Sequence, residues 1–122
     1  MPTTVYVIES DPDQRAWIES SLARSVDAVE SVADGATLLA RMPCGMRSCL
    51  VASAEPDAAT TLKLVRELRD KGVALPVIVL GPHSAFRVAV DIARLEATDF
   101  LEHPVSALQL CAAVRKALNS GT

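Results

Sequence analysis

The sequence predicts an α/β domain built on a doubly wound, parallel five-stranded sheet, and three observations carry that prediction. Short apolar, β-branched runs alternate with helical patterns five times along 122 residues. The central runs are apolar without alternation, as strands buried on both faces are. Connections are short, and no low-complexity linker interrupts them, so covering helices on both faces follow. In such sheets crossovers are right-handed, and function gathers at the carboxyl ends of the strands near the topological switch point.

The elements follow in order. Thr4-Val5-Tyr6-Val7-Ile8 is a first, fully buried strand. Asp11-Pro12-Asp13-Gln14 opens a helix: Asp11 caps it, Pro12 suits the first helical position, and Gln14 completes a capping-box-like pattern. Ile18 and Leu22 give that helix its inner face, with Trp17 and Ala23 beside them. Residues 28–32 form a weaker, more polar strand, as an edge strand is. A short helix runs from Asp34-Gly35 through Leu38 and Leu39 and is ended by Pro43. Residues 49–52 make the third strand. Leu62, Val65 and Leu68 lie at core spacing on a third helix, which Gly72 terminates. Leu75-Pro76 introduces a fourth strand over 77–80.

A helix expected over 85–95 has a different balance. Arg87, Asp91 and Arg94 make one charged stripe, while Phe86, Val88, Val90 and Ile92 exceed what a single sheet-facing stripe requires. Either the helix is deeply buried or it has a partner. Residues 98–101 form the fifth strand. Glu102-His103-Pro104 then leads into a last helix with Leu110, Cys111, Val114, Ala117 and Leu118 on its inner stripe.

Composition fixes the broad class. The length fits one domain over 1–122, and half the residues are apolar, enough for a core without staples. A net charge of −3 with scattered Lys and Arg gives no basis for nucleic-acid binding by this segment. No apolar run approaches the roughly 18 residues needed to span a bilayer. Met1 to Thr4 leads straight into a strand without room for a signal peptide, so the expected compartment is the cytosol. Three cysteines, an odd count, argue against a disulfide framework, and two distant histidines do not complete a zinc site. Residues 119–122 are either a natural end or a cut before a linker and output domain.

The strand ends carry the candidate chemistry. They offer Glu9-Ser10, Ser53, Gly81 and His103, a set poorly suited to holding a divalent cation and accepting a phosphoryl group.

The order and spacing of these pieces resemble a response-regulator receiver domain of the CheY-like superfamily, nearest to its FixJ-type subgroup. The resemblance rests on Val5-Tyr6-Val7-Ile8 followed by Asp11-Pro12, on Leu75 to Leu80 with His83, and on Asp99-Phe100-Leu101-Glu102-His103-Pro104. It implies the flavodoxin-like strand order 2-1-3-4-5. In active receivers an acidic pair after the first strand and an Asp ending the third bind magnesium, and that Asp accepts the phosphoryl group. A Ser or Thr after the fourth strand and a Lys after the fifth stabilise it. Magnesium wants hard oxygen ligands in octahedral geometry, and phosphoryl transfer is catalysed mostly by positioning and charge neutralisation.

Mapped on this pattern, Glu9-Ser10 stands for the acidic pair and Ser53 for the phosphoacceptor. Gly81 stands for the hydroxyl residue. His103, largely neutral at pH 7, stands for the Lys. A cis His103-Pro104 bond is also implied. The resemblance therefore implies a degenerate phosphorylation pocket of Glu9, Ser10, Asp11, Ser53, Gly81 and His103, with no metal, cofactor or catalytic residue. The expected role is that of a non-enzymatic pseudo-receiver in two-component signalling. It would act through a protein partner, a homodimer, an output domain or a histidine kinase. Its contact surface would be the helix over 85–95, the fifth strand and the last helix, bearing Phe86, Val90 and Phe100. Ordinary core packing is the other reading of Phe86 and Val90. A His103–Glu9 contact, which raises a histidine pKa, is a further expectation.

Two alternatives stay open. An atypical active receiver uses Asp11 or Asp57 as acceptor. A small-molecule-binding flavodoxin-like module needs a phosphate-cradling Gly-rich loop, and residues 54–61 contain no glycine.

Overall fold

Five parallel strands pair in the order β2-β1-β3-β4-β5 in a computed structural model that describes residues 2–41, 47–54, 58–82 and 99–120. The strands are β1 (Thr3–Ile8), β2 (Ala28–Ser31), β3 (Arg47–Ser53), β4 (Val77–Gly81) and β5 (Asp99–Glu102). The helices are α1 (Pro12–Leu22), α2 (Gly35–Arg41), α3 (Ala58–Asp70) and α4 (Ala107–Ser120). The expected strand order is observed, with β1 and β3 central and the polar β2 at an edge. The third strand begins two residues earlier than its apolar run, because Arg47 and Ser48 pair with Thr3 and Thr4 of β1. The helix expected over 85–95, with Phe86 and Val90, lies outside the described residues, as do Pro43 and Asp57.

Two apolar layers sandwich the sheet. Val5, Val7, Val51 and Ile78 face Ile18 and Leu22 of α1 and Leu110, Val114 and Ala117 of α4. Tyr6, Leu50, Ala52 and Val79 face Leu38 of α2 and Val65 and Leu68 of α3. Each fully buried aliphatic side chain contributes about 1.5–3 kcal/mol relative to exposure. The unbroken apolar runs are thus explained, since successive residues serve opposite layers.

Local signals set the helix ends. Asp11 caps α1 by accepting the Asp13 N–H at 3.0 Å. The Asp11 N–H, however, donates to Glu9 Oε1 at 3.0 Å, so Glu9 takes the reciprocal role expected of Gln14. At α3, Gly72 adopts φ +75°. Its N–H donates to the Arg69 carbonyl and that of Val73 to the Leu68 carbonyl, the paired bonds of a Schellman motif. Ser106 and Gln109 form a true capping box ahead of α4, with bonds of 3.1 and 2.8 Å. Among the described residues no helix is long and apolar enough to cross a membrane.

Candidate functional site

Parallel pairing brings every β–α junction to one edge of the sheet, and the candidate residues converge there. An open cleft of about 1010 Å³ is lined by Glu9, Ser10 and Asp11 after β1, by Ser53 at the end of β3, and by His103 after β5. Gln14 and Trp17 of α1, with Pro104 and Val105, complete its wall. Gln14 and Trp17 are three residues apart on α1, so helix periodicity alone places them on one face. That signal was present in the sequence and points to two wall residues that strand-end reasoning passes over.

Gly81 has a different position. It is buried at the end of β4, opposite Glu102 in the β4–β5 register, and its carbonyl accepts the His103 N–H at 2.9 Å. It does not line the cleft but fixes the backbone of His103, which does. The His103–Pro104 bond is cis, as the resemblance implies.

Hydrogen bonds hold the acidic groups. Glu9 Oε1 accepts the Asp11 N–H, and Asp11 Oδ1 accepts the Asp13 N–H. Arg15 Nη1 reaches the Glu9 carbonyl at 3.4 Å, a long contact. The His103–Glu9 contact expected from sequence does not form: both line the cleft, but the Glu9 carboxylate turns toward the start of α1. Among the described residues no three His, Cys, Asp or Glu side chains are grouped to hold an ion.

Ser53 is anchored from the opposite side. Thr61, 5% exposed within α3, donates from Oγ1 to the Ser53 carbonyl at 2.7 Å. The next residue, Ala54, donates its N–H to the Leu80 carbonyl at 2.8 Å. The end of β3 is thereby tied to both α3 and β4. Phe100 of β5 is half-buried against the core layer formed with α2 and α3. Leu108, at the start of α4, is the exposed large apolar residue among those described, at 84%.

Comparison with known proteins agrees with this architecture. No protein-family model matches the chain. It is 34% identical over 115 residues to the transcriptional regulatory protein FixJ of Azorhizobium caulinodans, across 93% of this chain and 54% of that protein. It is 29% identical over 122 residues to the response regulator protein TodT of Pseudomonas putida, across 95% of this chain and 51% of that protein. The chain thus spans about half the length of the curated relatives it matches. Among solved structures, a response regulator receiver domain protein from Clostridium thermocellum has a TM-score of 0.85 at 17% identity, covering 98% of this chain and 96% of that one. FixJ-N has a TM-score of 0.84 at 24% identity, covering 98% and 95%. At these identities the structural likeness is one of fold.

Proposed function

We propose that the chain is a receiver domain of the response-regulator type, like the FixJ proteins it resembles, and that it signals without accepting phosphate, by binding another protein. The observation that carries this reading is the donor set of the cleft. A magnesium-dependent acyl-phosphate site needs several convergent hard oxygens and a fixed cation beside the phosphoryl group. The cleft offers the Glu9 carboxylate, the Asp11 carboxylate with Oδ1 taken by the Asp13 N–H, the Ser10 and Ser53 hydroxyls, and an imidazole. One Glu9 oxygen already accepts the Asp11 N–H. These residues do not fit magnesium.

The alternative acceptor Asp11 is poorly placed for the role. Its Oδ1 is the N-cap acceptor of α1, and losing a cap costs about 1 kcal/mol. Ser53 as a nucleophile lacks a carboxylate's chemistry and needs a general base. The domain is accordingly read as non-enzymatic.

The curated relatives are about twice as long, which makes an output domain one of the candidate partners. The contact surface is assigned to β5 and α4, facing an output domain, a kinase or a second copy; the segment 85–95 expected beside them lies outside the described residues. Leu108, exposed on α4, supports that placement. Without phosphate the surface is either held in one state or moved by a ligand with unequal affinity for two states.

Beryllofluoride with magnesium tests the reading, because it mimics an aspartyl phosphate. Amide resonances of Glu9, Ser53 and His103 are expected to stay unshifted. A saturable, magnesium-dependent shift at all three contradicts it.

A further inference from the structure

A second cavity, of about 630 Å³, shares Glu9, Ser10 and Ser53 with the cleft but extends over the layer of α2 and α3. Its size is in the range of small-ligand sites. The floor is apolar: Ile8, Val32, Ala52 and Leu64, of which Val32 and Ala52 are 7% and 1% exposed. The α2–α3 wall is close, since a Cβ placed on Gly35 would lie 2.5 Å from Leu64 Cδ1.

The polar groups around that floor are few and mixed in sign. Arg15 lines the cavity, and the one hydrogen bond of its guanidinium among the described residues is the long one to the Glu9 carbonyl. A guanidinium with donors to spare is a bidentate partner for a carboxylate. Asp34 lines the same cavity and accepts the Thr37 N–H at 2.8 Å. Glu9 adds a second carboxylate. Ser31 is also in the lining, and its Oγ is buried with no hydrogen-bond partner among the described residues. An unpaired buried hydroxyl is costly, and a ligand polar atom beside it removes that cost.

Charge balance selects the ligand class. One guanidinium facing two carboxylates disfavours a phosphate or other multiply charged anion. A simple cation leaves Arg15 unmatched, and a neutral apolar molecule leaves all three charges unmatched. We propose that this cavity binds a small zwitterion with an aliphatic body, the chemistry of a free apolar α-amino acid. Its carboxylate pairs with Arg15, its ammonium with Asp34 and Glu9, and its side chain covers Val32, Ala52 and Leu64. The site involves no phosphoryl chemistry, so it stands or falls apart from the phosphorylation-independent reading.

The test is an NMR titration of the chain with L-leucine, with isopentylamine lacking the carboxylate, and with 4-methylpentanoate lacking the ammonium. Leucine is expected to give saturable shifts at Val32, Ala52 and Leu64, with each analogue about tenfold weaker or more. Asp34→Asn keeps the cap and is expected to abolish the preference over 4-methylpentanoate. Arg15→Gln is expected to abolish the preference over isopentylamine. The comparison of three ligands on the unaltered chain decides the matter even where a variant does not fold. No saturable shift with leucine, shifts centred on Trp17 and His103, or an analogue binding as tightly as leucine overturns the proposal.

Discussion

Thr61 Oγ1 donates to the Ser53 carbonyl at 2.7 Å, joining the first turns of α3 to the end of β3. Both residues line the second cavity, with Thr61 almost fully buried. A threonine in a helix competes with its own backbone for hydrogen bonds. Here the hydroxyl instead orients the end of β3, where the receiver resemblance puts the phosphoacceptor. Thr61→Val keeps the volume and removes the donor, and the expected cost is about 1 kcal/mol. Urea unfolding with an unchanged m-value checks this, and a change within about 0.3 kcal/mol contradicts it.

Burial makes Cys49 inert. It sits in β3 with 0% exposure, and burial pushes its thiol up to about 12. At pH 8 the thiolate population is negligible, so alkylation of native protein should leave the Cys49 peptide unmodified. Labelling in denaturant should then be complete. Native labelling at the rate of an exposed thiol contradicts the assigned burial.

Neighbouring leucines of α4 should differ sharply. Leu110 is 0% exposed and packs against β3, β4 and α1 residues, whereas Leu108 is 84% exposed. Leu110→Ala is expected to cost about 2–5 kcal/mol. Leu108→Ala is expected to stay within about 0.5 kcal/mol while weakening any partner contact made through α4. Equal losses of stability in both variants contradict the orientation of this helix.

Two exposed carboxylates give the domain an acid sensitivity with a definite sign. The Thr3 N–H, then the Thr3 hydroxyl, hold the Asp27 carboxyl below its ordinary 3.8. The Thr37 N–H does the same for Asp34. The folded pKa lies below the unfolded one. The stabilisation is therefore present above the unfolded pKa and is lost as pH falls through the folded value. Both groups are fully exposed, so screening keeps the effect small. Carbon-detected titration should show the Asp27 carboxyl below 3.8, and Asp27→Asn should flatten the loss of stability below about pH 5. An Asp27 titration at or above the ordinary value contradicts this.

The sheet was legible because its chemistry is local. Val5 to Ile8 and Val77 to Leu80 are apolar on both faces, and only a covered parallel sheet satisfies them. Gly72 was legible for the same reason, since a positive φ at a helix end calls for glycine. The strand-end residues were also readable, because parallel topology sends all of them to one edge. What depends on three dimensions was hidden. Glu9 outcompetes Gln14 for the Asp11 N–H, a choice between two side chains that only geometry resolves. Gly81 fixes the His103 backbone rather than the cleft wall. The second cavity draws Arg15 from α1, Ser31 and Asp34 from the end of β2 and the turn after it, and Leu64 from α3, and no spacing in the chain links these three segments. Phe100, expected on a contact surface, is half-buried in the edge strand β5, with one side packed against the layer of α2 and α3.

Intact-mass measurement after incubation with acetyl phosphate and magnesium goes straight to the proposed loss of acceptor chemistry at the end of β3. Unmodified protein, with and without the metal, is the predicted result. Stoichiometric, magnesium-dependent gain of one phosphoryl group, mapped to Asp11, Asp57 or Ser53, contradicts it.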